Sequence, residues 1–215
     1  MRLQLLVIAK EPVPGRVKTR LCPPCTPQQA AAVAAASLAD TLRTVDASPV
    51  ALRTLAICGN YRPPAGWGLV RQRGDGLGQR LAHAFADTAV PGLSTLLIGM
   101  DTPQVGPAQL AALADGLDRV DAVLGPAEDG GWWALALRDP AAARVLAGVP
   151  MSTPDTCTLT RHALDAYGLT VEYGPSLRDV DTAADAHAVA AACPGGSFAA
   201  TVRMQVPTVA EGVAR

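Results

Sequence analysis

The chain alternates between short runs that are almost wholly apolar and longer stretches in which apolar residues recur at helical spacing. Residues 3–9 are the first apolar run, and a loop separates them from an alanine-rich helical pattern over about 27–45. Residues 52–58 read as a second strand, 68–72 as a weaker third, and a helix follows over about 78–89. Residues 95–100 (TLLIGM) form another apolar strand before a helix at 107–117, and strands at 121–124 and 132–137 flank the loop GPAEDGG. Strands that are apolar throughout are buried on both faces, and helices between them make the sheet mostly parallel. The expected fold class is therefore α/β, a single-domain open, mostly parallel sheet with helices on both faces. From Pro194 the pattern weakens. Residues 1–193 read as the domain and 194–215 as a tail, flexible or loosely docked. No internal repeat is visible.

Composition narrows the function classes. A chain of 215 residues, 49% of them hydrophobic, suffices for one sizeable core but hardly for two. A formal net charge of -1 and a pI near 6.3 argue against nucleic acid or a membrane surface as a partner bound through bulk positive charge. No apolar run approaches the roughly 18 residues of a membrane span. Met1-Arg2 leads into an apolar stretch unlike a signal peptide, so the expected location is the cytoplasm. Nothing in the pattern sets an oligomeric state. The five cysteines are odd in number and irregularly placed, unlike a secreted disulfide framework. Cys22-Pro-Pro-Cys25 has the spacing of redox and zinc sites, but no second ligand pair accompanies it. A proline-stiffened turn leading into the helix at Thr26-Pro27 is the simpler reading.

In an open parallel sheet, ligands bind beyond the carboxyl ends of the strands, so the loops after the apolar runs carry the chemistry. The first, within AKEPVPGRVKTRL (residues 9–21), holds Lys10, Arg16, Lys18 and Arg20, opposed only by Glu11. The chain has eighteen basic residues and only two lysines, both in this loop. Arginine offers a planar fork to phosphate oxygens, while lysine offers a compact, mobile point charge; together with the close backbone approach allowed by Gly15 they suit an oligophosphate. A P-loop is absent, because no glycine directly precedes Lys18. The later GDGLGQRL (residues 74–81) departs from the dinucleotide fingerprint in spacing and position. Its glycines, Gly74 and Gly76, read as a tight turn into a helix, with Asp75 or backbone N–H groups toward a ligand.

Two acidic loops follow. Asp101 stands directly after the most apolar strand, where it suits a divalent cation beside a bound nucleotide; a helix cap is the alternative, although the helix starts near Pro107. Asp179 and Asp181 are two apart, so in an extended segment their carboxylates point the same way, as ligands of one metal require. Thr182 or Asp181 could instead cap the next helix, which carries Asp185.

The motifs AKEPVPGRVKTRL, GDGLGQRL, IGMDTP, GPAEDGGWWALAL, MSTPDT and RDVDTAADA, in this order, resemble a bacterial GT-A-like family of uncharacterised transferases. That family is related to the molybdenum-cofactor and 2-phospholactate guanylyltransferases within the nucleotide-diphospho-sugar transferase superfamily. The resemblance covers about residues 3–190. It implies that the first strand and its loop, from Ala9 and Lys10, cradle base and ribose, with Gly15, Arg16 and Lys18 on the phosphates. It implies a metal site of Asp101, Asp179 and Asp181 holding Mg2+ or Mn2+. It places Asp129, Gly130, Gly131 and a tryptophan, Trp132 or Trp133, at the acceptor or sugar. Consecutive strand residues face opposite ways, so one tryptophan belongs to the core. Cys22 and Cys25 are not in the family pattern.

The expected activity is transfer from a nucleotide-activated donor, with Lys18, Arg16 and Asp101 as catalytic residues. Nucleotidyl transfer from a nucleoside triphosphate to a small, most simply phosphorylated, acceptor, whose phosphate or hydroxyl attacks while pyrophosphate leaves near the basic loop, accounts best for the concentrated charge. Glycosyl transfer from a nucleotide sugar is the alternative, and a nucleotide-binding protein without turnover is the third reading.

Overall fold

The computed structural model describes residues 2–208. Seven strands, β1 (Leu3–Lys10), β2 (Leu52–Cys58), β3 (Gly68–Arg71), β4 (Ser94–Gly99), β5 (Ala122–Pro126), β6 (Trp132–Leu137) and β7 (Val171–Tyr173), form one open sheet in the order β3-β2-β1-β4-β6-β5-β7. All the pairings are parallel except those of β6, which runs antiparallel to both β4 and β5. The sheet is thus mostly parallel, as the apolar runs required. The helices are α1 (Pro27–Asp46), α2 (Leu77–Thr88), α3 (Pro107–Gly116), α4 (Thr156–Ala166), α5 (Ala183–Ala192) and α6 (Ser197–Gln205).

Alternation along the strands divides the core in two. Leu5, Val7, Leu55, Ile57, Leu96 and Ile98 pack on one face with α1 and α3, while Leu6, Ala56, Leu97, Leu124 and Leu135 pack on the other with α2, α4 and a 3-10 segment over Pro140–Gly148. Helices cover both faces, as expected. α1 starts at a reciprocal cap, in which Thr26 Oγ1 accepts from Gln29 N (3.3 Å) and Gln29 Oε1 from Thr26 N (2.8 Å). Among the described residues no helix is long and apolar enough to cross a membrane.

β1 has β2 on one side and β4 on the other, so the chain leaves their carboxyl ends in diverging directions and opens a cleft there. Because β6 is antiparallel, its amino end lies at the carboxyl end of β4, and the turn from β5 to β6 is delivered to the same cleft.

The expected tail is corrected by α6. Phe198, Ala199 and Val202 are fully buried in a third core with Val33 of α1 and Val189 of α5. The physical reason is a buried cap: Asp40 of α1 accepts from Ser197 N (3.1 Å) and Phe198 N (2.9 Å). A side chain at Gly196 would put Cβ 2.2 Å from Asp40 Oδ2, so glycine lets the two helices meet. Residues 209–215 of the expected tail lie outside the described residues. Asp40→Ala leaves both amides without their acceptor and should cost roughly 1–3 kcal/mol, read as a lower denaturant midpoint.

Candidate active site

A cavity of about 630 Å³ lies over the carboxyl ends of β1 and β4. One wall is the loop after β1, which brings Lys10, Arg16, Lys18 and Arg20 to the rim. Glu11, the one acid in this loop, turns away and accepts from Asn60 N (2.7 Å) beyond β2. Val17 anchors the loop in the core.

Lys18 organises the site. Its backbone is left-handed (φ 48°, ψ 39°), an uncommon conformation for a residue with a side chain. Its ammonium lies 2.6 Å from Asp101 Oδ1 and 3.7 Å from Asp181 Oδ1 and donates to the carbonyl of Val180. The side chain is only 6% exposed. These contacts compensate the backbone cost and join three distant segments. Lys18 is therefore an anchored charge in this structure rather than the mobile one that the loop pattern suggested. Arg20 closes the cluster by donating to Asp181 Oδ2 (2.8 Å). Lys10 and Arg16 are exposed and have no side-chain partner among the described residues, so their charges face the cavity unspent.

The acidic side is built by two caps that leave the catalytic candidates free. Thr182 caps α5 in a reciprocal pair with Asp185, so Asp181 has no capping duty. α3 is capped from Gly106 and Gln109, so Asp101 has none either. Val180 N donates to Asp101 O (3.0 Å), which ties the two acidic loops at the main chain. Asp179 Oδ1 is buried without a hydrogen-bond partner. Burial, and then the charges of Asp101 and Asp129, push the Asp179 carboxyl up to about 7, with Lys18 opposing and Asp181 adding to the rise. Among the described residues no three acids, histidines or cysteines form a ready metal cage. Even so, carboxylate oxygens turned toward one cation, with one buried oxygen unpartnered, are a donor set suited to a hard divalent ion.

The far wall comes from the turn between β5 and β6 and from the loop before α4. Gly131 N donates to Asp129 Oδ1 (2.8 Å), and Cys157 N donates to Gly130 O (2.9 Å). A Cβ on Gly130 would stand 1.9 Å from Pro154 O, so only glycine permits this approach. Trp133 is the core tryptophan, 3% exposed, with Nε1 donating to Pro175 O (2.9 Å). Trp132 is partly exposed at the cavity, with Nε1 donating to Thr160 Oγ1 (3.0 Å).

Of the residues singled out from the sequence, the cavity is lined by Ala9, Lys10, Arg16, Lys18, Arg20, Asp101, Asp129, Gly131, Trp132, Trp133, Asp179 and Asp181. Gly15, Gly74, Asp75, Gly76 and Gly130 do not line it. Asp75 is exposed, and its N–H is held by Gln79 Oε1 (3.0 Å); Leu77 and Leu81 reach the cavity from that segment instead. Sequence reasoning missed Gln72, whose Nε2 bridges the carbonyls of Ala9 (2.7 Å) and Ala56 (2.9 Å), and it assigned no role to Met151, Ser152, Thr153 and Thr156. The signal for the latter was the motif MSTPDT itself. Cys25 is buried in the third core beside α1, and burial first, then Cys22, pushes its thiol up.

The family model described as an uncharacterized protein conserved in bacteria (DUF2064) matches residues 29–153. The chain belongs to this DUF2064 family. The match includes Asp101 and the Asp129 turn, begins after the basic loop and ends before Asp179 and Asp181. No curated protein matches the chain. Among solved structures, a protein of Desulfovibrio desulfuricans G20 provisionally named a nucleotide-diphospho-sugar transferase is 24% identical with a TM-score of 0.84, covering 95% of each chain. Rv0371c of Mycobacterium tuberculosis H37Rv, in complex with manganese, is 18% identical with a TM-score of 0.56, over 88% of this DUF2064 chain and 98% of that one. CMP:2-keto-3-deoxy-manno-octonic acid synthetase complexed with CTP is 12% identical with a TM-score of 0.55, over 86% of this chain and 95% of that one. At these identities the likeness is one of fold.

The raised Asp179 carboxyl has a consequence for stability. Its folded value lies above the unfolded one, so the native state holds the proton more tightly and loses stability as pH rises from about 4 to about 7. In chelator-treated buffer, Asp179→Asn should match the wild type near the lower limit and melt a few degrees higher above the upper one. Parallel melting curves across the whole range would refute the assignment.

Proposed function

We propose that this protein is a metal-dependent transferase acting on a nucleotide-activated donor, and that the reaction is nucleotidyl transfer from a nucleoside triphosphate with release of pyrophosphate. The observation that carries this reading is the juxtaposition, at the ends of β1 and β4, of free cations on Lys10 and Arg16 with Asp101, Asp179 and Asp181 around Lys18. A triphosphate needs the cations, and a hard ion needs the carboxylates. The shared fold supports it, since one protein of that fold is described with CTP and another with manganese.

Asp101, Asp179 and Asp181 would hold Mg2+ or Mn2+, which supplies charge neutralisation at the phosphates when bound. Lys10 and Arg16 bind the phosphate oxygens, and Ala9 borders the base and ribose. Lys18 exchanges its carboxylate partners for the leaving pyrophosphate, so its contribution grows as the charge develops. Glycosyl transfer from a nucleotide-diphospho-sugar is the second reading, favoured by the Trp132 ring and Asp129 on the far wall.

A thermal-shift screen of nucleoside triphosphates and nucleotide sugars, each with and without Mn2+, tests the donor: a triphosphate should raise Tm in a metal-dependent way. Asp101→Asn should lose the metal-dependent part. Retention of that part would remove Asp101 from the site, and stabilisation by nucleotide sugars alone would select glycosyl transfer.

Lys18→Ala should lower kcat roughly 100-fold with a smaller change in KM, whereas Arg16→Ala should act mainly on KM. Steady-state kinetics separate the two, and an effect of Lys18→Ala confined to KM would make it a ground-state binding residue.

A further inference from the structure

The charge of the cavity is divided. All its lining cations, Lys10, Arg16, Lys18 and Arg20, come from the single loop after β1. The far wall, with Asp129, Trp132, Met151, Ser152 and Thr153, has none. The arginines near this wall in the chain are engaged elsewhere: Arg138 donates to the carbonyls of Leu117 (2.7 Å) and Val120 (2.8 Å), and Arg144 lies over the Tyr167 ring at 4.6 Å. Arg161 lies over the Tyr173 ring at 4.7 Å and beside Asp165 at 3.5 Å, and Arg178 is held by Glu128 at 2.7 Å. A phosphorylated molecule on this wall would meet a carboxylate without a counter-charge, an arrangement that disfavours it.

What the wall offers instead is suited to hydroxyl groups. The polar edge of Trp132 is taken by Thr160, so the ring presents carbon surface to the cavity. Ser152 is held in a left-handed conformation (φ 61°), and its hydroxyl has no partner among the described residues. Asp129 uses Oδ1 to accept from Gly131 N, which orients the carboxylate and leaves Oδ2 without a hydrogen bond. The turn that carries it is fixed by Ala127 N donating to Gly131 O (2.9 Å) and Gly130 N donating to Ala127 O (3.1 Å).

We propose that the far wall binds an uncharged, hydroxyl-bearing acceptor, of the sugar or polyol class, and that Asp129 is its general base. The inference rests on the nucleotide-donor reading for the transfer step, and of the two nucleophiles open from the sequence it selects a hydroxyl over a phosphate. The acceptor O–H gives its proton to the Asp129 carboxylate while its oxygen bonds to the α-phosphorus. The bond from that phosphorus to the bridging oxygen breaks, and its electron pair leaves on pyrophosphate. A carboxylate is the general-base type found where a neutral hydroxyl must become nucleophilic; a phosphate nucleophile, already anionic, would need none.

The test uses the full chain and two probe sets, glycerol and glucose against glycerol phosphate and glucose phosphate. Saturation-transfer NMR without nucleotide, with excess pyrophosphate to occupy Lys10 and Arg16, should detect the neutral set and not the phosphorylated one. With Mn2+ and whichever triphosphate raises Tm, pyrophosphate release should follow the same preference. Asp129→Asn keeps an oxygen for Gly131 N, and should lower turnover roughly 100-fold while the triphosphate-induced rise in Tm persists. Binding of the phosphorylated set alone, binding of neither set, or wild-type turnover in Asp129→Asn would each overturn the proposal. Absence of any nucleotide-induced rise in Tm would instead defeat the donor reading, and the NMR comparison would still judge the acceptor chemistry.

Discussion

The architecture of the site depends on one buried ammonium. Lys18 reaches from the loop after β1 to Asp101 after β4 and to the Val180 carbonyl and Asp181 before α5, segments separated by more than 160 positions at the widest. Three carboxylates converging at a sheet edge repel one another, and a fixed cation among them is what lets them remain close. The cost is visible in the left-handed backbone of Lys18 and in a buried Asp179 oxygen with no partner. Both are unfavourable for a free-standing fold, and both become useful if a cation and an anionic ligand enter together.

The scaffold makes this economical. A sheet in which β1 lies between β2 and β4 opens a cleft whatever its loops contain, and the antiparallel β6 adds a wall that an all-parallel sheet would place at the opposite end. Donor and acceptor chemistry can therefore be assigned to different elements. Cations come from the end of β1 and the loop after it, carboxylates from two other loops, and Asp129, Trp132 and Ser152 from the β5–β6 turn and the loop before α4. On the proposed reading, such separation would keep a highly charged donor from competing for the acceptor wall. It also explains why glycine is obligatory at Gly130, where the two parts of that wall touch at the main chain.

Several local readings survived because the interactions behind them are local. Helix α1 begins where Thr26, Pro27 and Gln29 say it should, and the apolar strands lie where uninterrupted side chains demand burial on both faces. Asp179 and Asp181, two apart in the sequence, both line the cavity. The docking of α6 was not, because its short apolar set, Phe198, Ala199 and Val202, becomes meaningful only against α1 and the Asp40 cap. Gln72 was invisible for the same reason: it stands one position beyond a weak strand and gains its role from carbonyls on two other strands.

By itself the sequence determined the fold class, the order of six of the seven strands along the chain, the loop in which positive charge is concentrated, and the acidic residues that end two of its segments. These follow from periodicity, residue type and short-range spacing, which the chain carries wherever it goes. Tertiary structure decided which charges are spent and which are free. It paired Lys18 and Arg20 with aspartates, left Lys10 and Arg16 open, sent Trp133 into the core and Trp132 to the cavity, and kept cations off the far wall. The physical reason is that electrostatic and desolvation energies depend on distances between residues far apart in the chain, and those distances exist only once the sheet has formed.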